Sequence, residues 1–350
     1  MDSESGLAYR TGEEAVMTLP RYAFFRGHLV PYSEARVGVL THALNYGTAV
    51  FAGLRGYWNS EQGELFLFRP ADHFRRFLES ARLLGMELQE SEESLSTAAV
   101  RLLRADLYRE DCYLRPLAFY ADESIGVRLH DLTPAVSMVA FPYGRYLEND
   151  ETLHATVSSW RRVDDNMIPA RGKIAGAYVN SALAKTDAQR AGFDDAILLN
   201  QDGHVAEASA ANFFLVRNGL VATPPTTDNV LEGITRRTAM ELLQKELGLS
   251  VRERSIDRTE IYLADEIFLC GTGTQIAAIT RVDHRPIGSG KMGPAVAALR
   301  KLFFEIVRGR RPEYQHWCLP VYAGASGLTH PEQMPEETAA PEPAALRLAR

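Results

Sequence analysis

Apolar residues along the chain follow two different spacings. Short apolar runs at residues 22–30 and 113–121 have the length and the aromatic or β-branched content that is typical of β-strands. After Pro70, apolar residues recur every three or four positions as far as Gly85, and a second helix is predicted at about residues 93–107. The spacing after Pro70 places the apolar side chains on one face of a helix, so it predicts an amphipathic helix there.

The second half of the chain mixes the same two spacings. Strands are predicted at residues 153–160, 196–200, 212–217 and 266–270, and helices at about 178–192 and 234–247. Some of these strands are close neighbours along the chain, as in hairpins, and others stand alone. This mixture favours an α+β or mixed α/β fold over a series of βαβ units.

A length of 350 residues predicts about two domains at roughly 150 residues each. A polar stretch that begins around Gly144 marks the predicted boundary between them. We predict a polar leader, a small N-terminal α/β domain, a linker, a larger C-terminal mixed domain and a disordered tail, at residues 1–20, 21–143, 144–152, 153–322 and 323–350.

Composition narrows the class of protein. A chain with 46% hydrophobic and 24% charged residues is typical of a folded globular protein. Its formal net charge of −7 disfavours nucleic acid and anionic membranes as partners. The three cysteines lack the spacing of zinc ligands or of a disulfide framework, and no apolar run reaches the ~18 residues of a membrane span. We therefore predict a cytoplasmic protein without a metal site.

The usual nucleotide-binding, zinc-protease and hydrolase motifs are absent, and three local segments carry the candidate chemistry. Lys173 lies among small residues in RGKIAGAY, residues 171–178. LEGITR at 231–236 begins a helix whose free amides could bind a phosphate, and CGTGT at 270–274 offers hydroxyls and amides to an anion. Each segment alone is weak, because a lysine beside glycine is usually a surface charge.

Together with five further segments, these three occur in the order and spacing of one family. The further segments are HALNYG at 42–47, Phe51 with GLR at 53–55, YLRP at 113–116, FPYGRY at 141–146, and Glu207 with NFF at 212–214. The combination resembles the branched-chain amino acid aminotransferases, which are pyridoxal phosphate (PLP) enzymes of fold type IV. The resemblance covers about residues 22–321 and implies a two-domain enzyme whose larger domain binds PLP.

The resemblance also implies how PLP is held. Lys173 forms the Schiff base with PLP and moves the proton during transamination. Glu207 matches the carboxylate on the pyridine nitrogen, and Tyr178 the phenol on the O3′ oxygen of the cofactor. The implied phosphate ligands are Arg76, the amides of Ile234 and Thr235, and Thr272. Arg75 is the alternative to Arg76, because the apolar face of this helix does not decide which arginine points inward.

The implied substrates are leucine, isoleucine or valine in one half-reaction and glutamate in the other. In the resemblance, Arg115, Tyr46 and Tyr146 meet the distal carboxylate of glutamate and flank the branched side chain. Tyr113 with the amides of Thr272 and Gly273 matches the groups that hold the α-carboxylate, and Phe51 and Tyr143 supply the apolar wall. A buried carboxylate requires such polar partners, since an unpaired charge in an apolar site costs several kcal/mol.

The segment ESIGVR at 123–128 lies where the family has a loop that reaches into the active site of the partner subunit, so at least a homodimer is expected, and a higher homo-oligomer is the alternative. Three positions depart from the family pattern: ASAAN at 208–212 replaces a glycine-rich turn, Glu232 replaces a proline, and Gly273 an alanine. Alternative functions are a D-amino acid or (R)-amine transaminase, an aminodeoxychorismate lyase, or a non-catalytic binding module with the same fold.

Overall fold

The computed structural model describes residues 9–11, 13–15, 19–144 and 149–323. In chain order, the strands are β1 (Tyr9–Thr11), β2 (Glu13–Ala15), β3 (Tyr22–Phe25), β4 (His28–Pro31), β5 (Ala49–Phe51), β6 (Leu54–Asn59), β7 (Glu64–Phe68), β8 (Cys112–Tyr120), β9 (Pro134–Pro142), β10 (Leu153–Arg161), β11 (Asp195–Leu199), β12 (Val205–Ala208), β13 (Asn212–Arg217), β14 (Leu220–Thr223), β15 (Ser250–Glu253), β16 (Glu266–Gly271), β17 (Gln275–Val282), β18 (Arg285–Pro286) and β19 (Cys318–Pro320). The α-helices are α1 (His42–Tyr46), α2 (Pro70–Leu83), α3 (Glu92–Asp106), α4 (Tyr178–Arg190), α5 (Ile234–Lys245) and α6 (Pro294–Val307).

Two large sheets organise the chain. The first is antiparallel, with the strand order β19-β7-β6-β8-β9-β3-β4 and with β5 paired to β8. The second has the order β12-β11-β10-β17-β16-β13-β14-β15, with β18 on β17. It is mixed, because β10 runs parallel to both β11 and β17 while β16 is antiparallel to its neighbours. The predicted mixed α/β fold is confirmed, and the predicted domain bounds stay a prediction.

The helices cover the sheets with the apolar faces that the sequence predicts. In α2, Phe74, Phe77 and Ala81 are buried, and they belong to one core with apolar residues of α3 and of the first sheet. A second core joins α5 and α6 to the second sheet and also includes Phe66 and Phe68 of β7. The rings of Phe68 and Phe303 lie 5.7 Å apart, so the two sheets are held together by shared apolar packing.

The helices predicted after Pro70 and at residues 93–107, 178–192 and 234–247 are confirmed as α2, α3, α4 and α5, with ends that differ by a few residues. The single strand predicted at 22–30 is wrong. The structure has the hairpin β3-β4 there, because Arg26 and Gly27 adopt positive φ angles of 52° and 92° and reverse the chain. No helix in the described part of the chain is long and apolar enough to cross a membrane.

The last described strand returns to the first sheet. Strand β19 falls within the range predicted for the larger domain, but it pairs antiparallel with β7. The carboxylate of Glu64 accepts hydrogen bonds from the amides of Val321 and Tyr322, at 3.0 and 2.7 Å, just beyond this strand. Nearly all of the tail predicted at 323–350, most of the predicted leader at 1–20 and part of the predicted linker lie outside the described residues.

Candidate active site

A cavity of about 570 Å³ lies between the two sheets. Its wall combines residues of β5, β8 and α2 with residues of the second sheet and of the loop before α4. Most of the residues that the sequence predicts as functional line it: Phe51, Arg76, Tyr113, Arg115, Tyr143, Lys173, Tyr178, Glu207, Ile234, Thr235, Thr272 and Gly273. The cavity is therefore the candidate active site.

Close backbone packing positions the loop that carries Lys173. The Lys173 carbonyl accepts a hydrogen bond from the amide of Phe51 at 3.0 Å, and its own amide donates to Ser80 Oγ at 3.1 Å. Further on, the Gly176 amide donates to the Gly47 carbonyl at 3.2 Å, and a Cβ atom on Gly176 would lie only 3.3 Å from that oxygen. Small residues around the lysine therefore allow its loop to reach β5.

The environment of Lys173 favours its neutral amine. Burial lowers the pKa of Lys173 well below its usual range, and the positive charge of Arg76 lowers it further, against the opposing effect of Glu207. Nζ lies 2.6 Å from the hydroxyl of Tyr178, whose own pKa is raised by burial. The side chain thus presents a nucleophilic nitrogen beside a protonated phenol.

Glu207 stands on β12 and is bonded on both of its carboxylate oxygens. Oε1 lies 2.9 Å from Arg162 Nη2, while Oε2 accepts hydrogen bonds from Asn212 Nδ2 at 3.0 Å and from the Leu231 amide at 3.3 Å. Burial raises the pKa of Glu207, and the adjacent Arg162 guanidinium opposes that shift. Because Glu207 is buried, the charged form of its carboxylate depends on the ion pair with Arg162.

The turn before α5, next to Glu207, adds groups of the kind that bind anions. Arg76 Nη1 donates to the carbonyl of Glu232 at 2.9 Å, next to Gly233 and the first turn of α5. A Cβ atom on Gly233 would lie 2.0 Å from Asn212 Oδ1, so only glycine fits there. Arg75 instead forms an ion pair with Glu92 and has 52% of its side chain exposed. Arg76 therefore lines the cavity and Arg75 does not, so Arg76 stays the predicted phosphate ligand.

Aromatic rings and one guanidinium form the wall on the side of β8. The guanidinium of Arg115 lies 4.7 Å from the ring centre of Phe51 and 5.2 Å from that of Tyr113. A Cβ atom on Gly53 would overlap the Tyr113 hydroxyl at 1.8 Å, so this glycine makes room for the phenol. The side chain of Arg115 is exposed in the single chain.

Two predicted residues are not found in this wall. Tyr46 does not line the cavity of its own chain, because its hydroxyl accepts a hydrogen bond from the Gly126 amide at 3.1 Å and its ring packs on His42. Tyr146 lies outside the described residues. Conversely, sequence reasoning missed Arg162, which follows β10 as the second of two adjacent arginines and carries no local signal of its ion pair.

Comparisons with known proteins show the family of this chain. The family described as amino-transferase class IV matches residues 49–282, which include Lys173 and Glu207. The chain belongs to the class IV aminotransferases. A relative named as a probable branched-chain-amino-acid aminotransferase of Aquifex aeolicus is 46% identical over 301 residues, which cover 86% of this chain and 97% of that protein.

Solved structures of other class IV aminotransferases have the same fold. The branched-chain aminotransferase of Thermoproteus uzoniensis, crystallised with norvaline, is 40% identical with a TM-score of 0.83, covering 87% of this chain and 100% of that one. The T.th. branched-chain amino acid aminotransferase, complexed with N-(5'-phosphopyridoxyl)-L-glutamate, is 40% identical with a TM-score of 0.81 over 86% and 99% of the two chains.

The residues of the cavity fit PLP. An aldehyde requires a neutral amine such as Lys173, and a protonated pyridine nitrogen requires a carboxylate such as Glu207. A phosphate dianion requires cationic and amide donors, and Arg76 with the first turn of α5 supplies both. The three donor sets line one cavity.

The ion pair between Arg162 and Glu207 predicts a stability effect that depends on pH. Replacing Arg162 by Met leaves Glu207 buried and unpaired, and we expect a loss of about 3–5 kcal/mol in the free energy of unfolding of the cofactor-free protein at about pH 8. Without Arg162 the pKa of Glu207 rises further, so the folded state takes up a proton and the deficit becomes smaller toward about pH 5.

Urea unfolding at both pH values measures this effect, with Arg161→Met as the matched control. Arg161 precedes Arg162 in the chain and is exposed, so its replacement should change stability by less than about 1 kcal/mol. An equal loss for Arg162→Met at the two pH values would contradict the assigned charge pair.

Proposed function

We propose that this chain exchanges the amino group between branched-chain L-amino acids and 2-oxoglutarate, giving branched-chain 2-oxo acids and L-glutamate. One observation carries the proposal: the desolvated amine of Lys173 and the paired carboxylate of Glu207 line the same cavity, with the anion-binding turn of α5 beside them. The names of the relatives in Aquifex aeolicus and Thermoproteus uzoniensis support the substrate class.

When bound, PLP supplies an electron sink for the bond that breaks at the substrate Cα. Lys173 Nζ would be the attachment atom and would hold and move the proton at the substrate Cα. The phenol of Tyr178 would donate a hydrogen bond to the O3′ oxygen, and the carboxylate of Glu207 would favour the protonated pyridine nitrogen. Arg76, Thr272 and the amides of Ile234 and Thr235 would hold the phosphate.

Arg115 lets one pocket accept two kinds of side chain. Its guanidinium can pair with the distal carboxylate of glutamate, while the rings of Phe51 and Tyr143 offer apolar contact to a branched side chain. Tyr113 and the amides of Thr272 and Gly273 are proposed to hold the α-carboxylate. The complex of the T.th. enzyme with a glutamate adduct supports the second substrate.

We further propose a homodimer in which the segment 123–128 reaches the active site of the partner subunit. Seven exposed apolar residues form what we name the rim patch: Val37, Val39, Leu40, Leu44, Ile125, Val127 and Leu129. The two parts of the patch are joined, because the His42 amide donates to the Asp122 carbonyl at 2.8 Å and Tyr46 binds Gly126. Such a patch is typical of an interface, and it would carry Tyr46 to the partner.

The proposed location is the cytoplasm. The three cysteines are all buried and form no disulfide, which is the state that thiols keep in a reducing compartment.

Borohydride reduction followed by peptide mapping tests the attachment residue. We expect a pyridoxyl adduct on the peptide that contains Lys173. Lys173→Ala should lower transamination by at least about a thousandfold, because no other lysine of the described residues lines the cavity. Lys185 is the matched control, since it lies on α4 and is paired to Asp195 at 3.0 Å. An adduct on Lys185 would contradict the whole assignment.

Half-reactions with single substrates test the dual specificity. In Arg115→Gln, kcat/KM for L-glutamate should fall about 10- to 100-fold, since a charge-assisted contact is lost, while L-leucine changes little. Arg109→Gln, at an exposed arginine outside the cavity, should change neither substrate. Turnover of D-alanine or of a chiral amine by the unmodified enzyme, together with failure on L-leucine, would favour the alternative transaminases.

Analytical ultracentrifugation tests the assembly. The unmodified protein should sediment as a dimer or a larger oligomer, and Val127→Glu should shift it toward the monomer because a charge enters a desolvated contact. Val127 is 91% exposed in the single chain, so the substitution should not disturb the fold. Leu263→Glu, at an exposed residue outside the rim patch, is the control, and a monomeric unmodified protein would refute the dimer.

A further inference from the structure

Asn229 contacts the charge pair of the active site through its backbone. Arg162, which binds Glu207 Oε1 through Nη2, donates from Nε to the Asn229 carbonyl at 3.3 Å. Asn229 is buried, and its φ of 63° and ψ of 33° lie in the left-handed region that asparagine and glycine tolerate best. The direction of this carbonyl therefore depends on an uncommon backbone conformation.

The side chain of Asn229 contacts the segment that leads to Lys173. Nδ2 donates to Asp164 Oδ2 at 3.2 Å, and Oδ1 accepts from the Asp165 amide, also at 3.2 Å. Asp165 in turn accepts a hydrogen bond from the Ala170 amide at 2.9 Å, three residues before the lysine. One residue thus joins the counter-ion of Glu207 to the loop of the reactive amine.

We propose that Asn229 is a positioning residue that fixes Arg162 on Glu207 relative to the loop of Lys173. The inference rests on the proposed function, because it concerns the charge balance around the bound cofactor. Glycine could adopt the same φ angle but would lose both side-chain bonds. Aspartate would keep the bond from the Asp165 amide but would place a carboxylate against that of Asp164. Asparagine satisfies both requirements at once.

Loss of the Asn229 contacts should change the protonation of the Lys173 nitrogen in a predictable direction. The charged side chains that act most strongly on Lys173 are Arg76, Glu207, Arg115 and Arg162. When Arg162 moves from Glu207, its positive charge acts less on the cavity and the negative charge of Glu207 is less compensated. Protonation at the Lys173 nitrogen then becomes easier, so the pH midpoint of the absorbance change of the bound cofactor should move upward.

The test compares the holoenzymes of Asn229→Gly, Asn229→Asp and Asp164→Ala with the unmodified protein. We expect the absorbance midpoint to rise by at least about half a pH unit in each variant. We also expect the dissociation constant of PLP, measured by fluorescence, to rise about fivefold or more. Asp164 is only partly buried and acts toward Asn229 as an acceptor, so Asp164→Ala decides the question if a substitution of the buried Asn229 prevents folding.

Asn218 supplies the matched control. It also has a positive φ angle, 51°, but lies exposed in the turn between β13 and β14. Asn218→Gly and Asn218→Asp should leave the midpoint and PLP affinity unchanged. If the Asn229 and Asp164 variants also leave both quantities unchanged, the positioning role is refuted. Failure of the unmodified protein to bind PLP or to transaminate would instead refute the proposed function, so the two failures are distinguishable.

Discussion

The other charged groups of this site are arranged around one buried amine, that of Lys173. Lys173 Nζ lies against the rings of Phe51 and Tyr178. Burial lowers the pKa of its ammonium group, and the positive charges of three arginines lower it further. Desolvation of the Lys173 amine would also lower the free energy of unfolding. The negative charge of Glu207 reduces this loss without forming a direct ion pair with the lysine. The balance between these charges depends on the separation of side chains that are far apart in sequence. The two sheets and their shared core maintain that separation.

The two sheets supply different chemistry to the cavity. The first sheet and α2 contribute aromatic rings, Arg115 and Arg76, whereas the second sheet contributes Glu207 and the turn before α5. One backbone contact between the parts is the hydrogen bond from the Gly176 amide to the Gly47 carbonyl. Gly53 and Gly233 act differently, because a Cβ atom there would overlap the Tyr113 hydroxyl or Asn212 Oδ1 in the cavity wall. A side chain at either position would displace a group of the wall, so these glycines belong to the site as its charged residues do.

Most helices and strands and most residues of the cavity could be predicted from the sequence, but from different kinds of signal. Helices such as α2 were predictable because their apolar period is local. Helix α6 had a similar signal, with Pro294 at its start and Leu299 and Phe303 on one face, but it was not predicted. Lys173 and Glu207 were found through a resemblance that covers many segments, since no local pattern joins residues 34 positions apart.

The misses have physical causes. The turn at Arg26 and Gly27 lies within an apolar run that carries no clear turn signal. The ion pair of Arg162 forms only in the tertiary structure, and the hydroxyl of Tyr46 accepts a hydrogen bond from the Gly126 amide instead of facing the cavity of its own chain.

Strand β19 has a consequence for biosynthesis. Strand β7 lies beside β19 and is made about 250 residues earlier. During translation its outer edge therefore stays open to pairing with other chains until β19 has left the ribosome.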